Sequence, residues 1–192
     1  MSRHVPFLFT LAITIACSNN NKTSATNEAT DSATKKAADK TVDPAQAKTE
    51  TLTSTTPMDL DELKDYLPTQ LEGMKRNNFS MSSSMGYATA HADYEKNKRT
   101  DVRVVLYDCA GEAGAALYNS TYAAKMNVPT DSSSKGYNKN IVLLGNKAIE
   151  HFDKVANATT LTFMVNERLM AVLTGRNIPA ETLEKAAEQI KK

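Results

Sequence analysis

Asn138-Lys139-Asn140-Ile141-Val142-Leu143-Leu144, Gly145-Asn146, then Lys147-Ala148-Ile149-Glu150-His151-Phe152-Asp153-Lys154 is the stretch that decides the fold. Two apolar-rich runs are split by a two-residue Gly-Asn, the spacing of a β-hairpin. The pattern recurs at once, because residues 159–165 and 168–175 flank Asn166-Glu167. Strands joined hairpin by hairpin are antiparallel neighbours; parallel ones would need crossovers of a dozen or more residues.

Working toward the N-terminus, residues 100–109 hold Val102, Val104, Val105 and Leu106 and predict a buried central strand. In residues 87–95, Ala88, Ala90, Ala92 and Tyr94 alternate with Thr89, His91, Asp93 and Glu95, which predicts a strand with one wet face. Residues 77–82 form a weaker strand, and 69–75 and 128–136 read as loops. Between 112 and 127 the period becomes helical. Ala113, Ala116, Leu117, Ser120, Thr121 and Ala124 make a small-residue face expected to lie on the sheet, with Tyr118 and Tyr122 one turn apart beside it.

Helices are expected at both ends of this region. Asp59 followed by Glu62 starts one that carries Leu60, Leu63 and Leu67 and closes at Pro68. Pro179 opens another whose Leu183, Ala186, Ala187 and Ile190 share a face. The expected fold is α+β: a mainly antiparallel sheet of about six to seven strands with helices packed against it, in one domain over residues 58–192. That element order resembles the Mog1/PsbP/DcrB-like group of small α/β domains. The resemblance implies a fold and assigns no functional residue.

The first residues are an address. Arg3 and His4 precede an apolar run over 5–16, too short to cross a bilayer core of ~30 Å at ~1.5 Å per residue. A basic start, an apolar core and a small residue before the cut describe a signal peptide over 1–16. Ile13-Thr14-Ile15-Ala16-Cys17 resembles the lipobox of bacterial lipoproteins, with Thr14 where an aliphatic residue is usual. The resemblance implies cleavage before Cys17, lipidation of Cys17 with chains such as palmitate, and a membrane partner through that anchor. It places the protein in the cell envelope, on the periplasmic side, and Ser18 in the place of Asp leans toward the outer membrane. From 17 to 57 the chain is Ser/Thr/Asn/Ala/Lys-rich, with Val42 and Leu52 as its branched aliphatics. Such a segment is expected to be a disordered tether, with an r.m.s. reach of roughly 35 Å.

The chemistry is sparse. Formal net charge is +1, so the field that steers nucleic-acid binding is missing and no nucleic-acid partner is expected. Gly111-Glu112-Ala113-Gly114 lacks the third glycine and the lysine of a phosphate-binding loop, and no Gly-x-Ser-x-Gly elbow occurs. Cys17 and Cys109 are the two cysteines, too few for a disulfide framework. Cys109 is a candidate nucleophile with His91 or His151 as its base. His91-Ala92-Asp93 and His151-Phe152-Asp153 each put an imidazole and a carboxylate on one strand face. Were the two strands adjacent, those four groups would make a mixed N/O set suited to Zn²⁺. The favoured reading is a noncatalytic domain that binds an envelope protein or small ligand and assigns no catalytic residue and no cofactor. A metal-dependent enzyme (His91, Asp93, His151, Asp153) or a Cys109 thiol enzyme is the alternative, and a structural envelope protein the third.

Overall fold

The computed structural model describes residues 44–127 and 129–190. The expected signal peptide, the expected lipidation site Cys17 and the expected tether as far as residue 43 lie outside them.

The described chain runs α1 (Pro44–Ser54), α2 (Leu60–Lys64), β1 (Gln70–Leu71), β2 (Met74–Ser82), β3 (Thr89–Asn97), β4 (Thr100–Asp108) and α3 (Gly111–Thr121). A 3-10 turn (Ala123–Lys125) leads to β5 (Asp131–Ser133), β6 (Gly136–Leu143), β7 (Asn146–Asp153), β8 (Ala158–Met164), β9 (Leu169–Arg176) and α4 (Ala180–Glu188). All nine strands join one sheet in the order β1-β2-β3-β4-β9-β8-β7-β6-β5. Every neighbouring pair is antiparallel. Two meanders, β1–β4 and β5–β9, thus meet where β4 pairs with the last strand.

The sheet carries more strands than expected, because both stretches read as loops hold short hairpins. Gly73 (φ 75°) turns β1 into β2, and Ser133 pairs with Gly136 across the turn between β5 and β6. Neither β1 nor β5 is long enough to show a period of two. The turn from β6 to β7 is Leu144-Gly145 rather than Gly145-Asn146, both with positive φ (53° and 76°), so Leu143 pairs with Asn146.

Register assigns each side chain to a face. Ala92, Val104, Leu173, Leu161 and Glu150 form one row across five strands. On that face α2 and α4 supply Leu63, Leu183, Ala186 and Ala187 to the main core, and the residues just after them add Leu67 and Ile190. Asp59 caps α2 by accepting the Glu62 N–H at 2.8 Å, as its spacing predicts. The opposite face is covered in part by α1 and α3, where Leu52, Cys109, Ala115, Tyr118, Tyr122, Ile149, Met164 and Met170 pack together.

Two expectations are corrected on that second face. Residues 44–54, expected within the disordered tether, are helical, and Leu52 is 1% exposed. One leucine among polar residues gave no periodic signal, and the pocket that buries it belongs to α3 and the sheet. On α3, Gly114, Ala115 and Tyr118 are the buried residues, with Tyr122 just beyond, whereas Ala116, Ser120 and Ala124 are exposed. The tyrosines bury more area than the alanines, and Gly114 allows the close approach: a Cβ there would sit 2.5 Å from the Cys109 carbonyl carbon.

An ion pair fixes the entry to the domain. Asp108, fully buried, accepts bonds from Arg168 Nε at 2.8 Å and Nη2 at 2.6 Å. It also accepts from the backbone N–H of Met58 (2.6 Å) and Ala110 (3.2 Å). Arg168 Nη2 also donates to the Thr56 carbonyl at 2.8 Å, so the link between α1 and α2 is held against the ends of β4 and β9.

Candidate functional site

The part of the second face left open by α1 and α3 carries a polar row. Asn78, Asp93, Arg103, Thr174, Thr160, His151 and Asn138 follow one another from β2 to β6. Both His-x-Asp pairs therefore share a face, but β4, β9 and β8 separate β3 from β7. Four strand steps of ~4.8 Å put them roughly 19 Å apart. The four-ligand convergence would require β3 and β7 to be adjacent, and they are not. No cluster of three or more His, Cys, Asp or Glu with metal-binding geometry occurs among the described residues.

Each pair instead has local partners. His91 Nε2 lies 3.0 Å from Asp93 Oδ1, which also accepts from Arg103 Nε at 2.9 Å, while Asn78 Nδ2 donates to Oδ2 at 3.1 Å. Burial disfavours ionisation of Asp93, but these bonds, Arg103's first, outweigh it and hold the carboxyl below its ordinary value. Asp153 accepts the Val155 and Ala156 N–H groups at 2.8 and 3.0 Å. Those bonds, Ala156's first, lower its pKa, and the side chain serves as a turn cap.

Cys109 sits in the cluster beneath α1 and α3 with no exposed surface. Burial first, then the Asp108 carboxylate, pushes its thiol up to about 12. Its Sγ lies 3.8 Å from the Tyr107 carbonyl. A protonated thiol in an apolar cluster is a packing group rather than an attacking one.

His151 has a different setting. Its Nδ1 is 2.8 Å from Asn138 Oδ1. An amide oxygen only accepts, so Nδ1 is the donor of that bond. Beside it opens a cavity of about 480 Å³ lined by Lys125, Pro129, Asn138, Lys139, Asn140, Ile149, His151 and Thr160. A smaller one of about 190 Å³, which includes Asp131, Lys135 and Asp153, lies against the same imidazole.

The segment that follows α3 builds part of the rim of the larger cavity. Tyr118 and Tyr122 lie against each other with ring centroids 5.6 Å apart and planes tilted by 36°, and the Tyr122 hydroxyl donates to the Lys147 carbonyl at 2.5 Å. That bond pins the end of α3 to β7. The 3-10 turn then carries Lys125 over the sheet, and Asn140 Nδ2 donates to the Met126 carbonyl at 3.4 Å. Ile149 forms the apolar floor, and Thr160, whose Oγ1 lies 3.2 Å from Thr174 Oγ1, adds a hydroxyl. Lys139 is directed to the other face, with its ammonium 3.1 Å from Glu150 Oε1.

Sequence reasoning passed over Lys125, Asn138, Asn140 and Thr160, since none stands in a motif. Glu150 shares the Phe152 face of β7 in the sequence, which leaves the outer face of that strand ambiguous until the register is known. Glu150 is fully buried, and its Oε1 also accepts the Tyr137 hydroxyl at 2.5 Å. No helix among the described residues is long and apolar enough to cross a membrane.

No protein-family model matches the chain, and neither a curated protein nor a solved structure matches it. No residue role is carried over from another protein, and the site rests on its own geometry.

Proposed function

We propose that this chain is a lipid-anchored protein of the bacterial envelope. Its domain binds, without catalysis, a small ligand with an apolar body and an anionic head in the cavity beside His151. The cavity carries this reading. Its volume of about 480 Å³ falls in the range of small-molecule sites, roughly 300–1,000 Å³. Its lining has the matching composition: Ile149 and Pro129 as apolar wall, Lys125 as the cation, and Asn138, Asn140 and Thr160 as polar groups that set orientation. The lipobox at Cys17 supports the anchor, through which the membrane becomes the chain's standing partner.

Octanoate is a suitable probe, and the purified protein can be followed by amide chemical shifts. Titration is expected to move the amides of Asn138, Ile149, His151 and Thr160, with octanol binding more weakly. Lys125→Glu should cost roughly tenfold in affinity, about 1.4 kcal/mol. Unmoved cavity amides at millimolar octanoate would refute the site. The anchor is tested separately, since Cys17→Ser should release the protein from membranes or leave an uncleaved precursor. Unchanged processing and fractionation of that variant would remove the lipoprotein assignment.

A further inference from the structure

The β2 edge of the sheet is open over most of its length. β1 pairs only with Met74 and Lys75, and the Arg76 N–H reaches the Thr69 carbonyl at 3.0 Å. Beyond that point no described strand lies on the outer side of β2, so Asn77–Ser82 presents unpaired backbone groups in that direction. Exposed edges are ordinarily blunted by lysine, other charges, proline or a covering segment. Residues 77–85 (Asn-Asn-Phe-Ser-Met-Ser-Ser-Ser-Met) contain no charge and no proline.

We propose that this edge pairs with the same edge of a second copy of the chain, antiparallel and centred on Ser80. Pairing across a two-fold axis normal to the sheet keeps paired side chains on one face, so the axis must pass through a residue rather than between two. With Ser80 opposite Ser80 of the partner copy, Phe79 meets Met81 and Met81 meets Phe79. Both are half-buried at the rim of the main core, and the pairing continues that core across the axis with two sulfur–aromatic contacts. Asn78 and Ser82 face each other on the other side, and no like charges oppose. The length also fits. The open slot begins past β1, and the turn that ends with the Gly86 N–H on the Ser83 carbonyl (3.4 Å) leads the chain away before it would meet β1 of the partner copy.

Cysteine crosslinking of the full chain in membranes tests the register. Ser80 is exposed, so Ser80→Cys leaves the fold undisturbed, and directly opposed residues have Cβ atoms about 4.5–5.5 Å apart. A short bismaleimide should give a crosslinked band of twice the chain mass with Ser80→Cys. The parent chain and Ser133→Cys, on the opposite edge, should give only background. Adding Ser80→Lys to a Met81→Cys chain sets two ammonium groups face to face and should remove the dimer band that Met81→Cys gives alone. A Ser80→Cys band no stronger than background, with the variant as protease-resistant as the parent, would overturn the proposal. Adducts solely of a different mass would overturn the second copy as the occupant.

Discussion

At the scale of single residues, several side chains hold their protons firmly. Cys109 has an ordinary value of 9.0 and is pushed up to about 12 by burial. Burial raises Tyr94 and Tyr122 from 10.0 to about 12 as well. Tyr137 rises to the same level, chiefly because its hydroxyl is bonded to Glu150. The sign follows directly. An unfolded chain releases these protons at about pH 9–10, while the folded chain keeps them to about pH 12, so folding stability falls as pH rises through that window. Denaturant midpoints should be level from about pH 7 to 9 and then decline steadily. Cys109→Ala should make the first part of the decline, near pH 9–10, shallower. A midpoint unchanged to about pH 11 would show that these groups are not held as the structure places them.

Among the elements, α3 sets the shape of the second face. Its approach to the sheet depends on Gly114, where a Cβ would lie 2.8 Å from both the Asp108 and Cys109 carbonyl oxygens. Those atoms are backbone in a strand end and cannot swing aside. Gly114→Ala is therefore expected to destabilise the domain by about 1–3 kcal/mol, the usual range for overpacking, although alanine is the better helix former. It should also shift the amides around Lys125, because α3 leads into the cavity rim. A thermal melt and an amide spectrum check both, and an unchanged or raised Tm would contradict the packing. The sequence made α3 legible as a helix but pointed to the wrong face. Its alanines and polar small residues repeat at helical spacing as well as the tyrosines do, and periodicity cannot say which stripe a particular sheet will accept. The strands read better, and His91 and Asp93 do lie on the half-exposed side of β3, because strict alternation fixes a face once one side is buried. His151 stands out in the sequence for its neighbour Asp153, yet it bonds Asn138 and shares a cavity lining with Lys125, which only the β6–β7 register and the path of the 3-10 turn bring to the same place.

For the whole molecule, the main consequence is where the folded unit begins. Helix α1 lays Leu52 over Cys109 and Tyr118, and Arg168 ties Thr56 to Asp108. Limited proteolysis is thus expected to stop upstream of Pro44 rather than near Pro57. A chain starting at Met58 should have a lower Tm and a Cys109 that reacts with thiol reagents in the native state. Leu52→Ala alone should cost about 2–5 kcal/mol. A fragment from Met58 that melts with the longer chain would place the boundary back at 58. By itself, the sequence determined the α+β class, the antiparallel hairpins and the closing helices, because these follow from local periods, caps and turn residues a few positions apart. Only the tertiary structure decided that β4 pairs with β9, that four strand steps part His91 from His151, and that a polar segment with one leucine is folded. Each of those depends on which distant surface a residue meets, and local patterning carries no information about that.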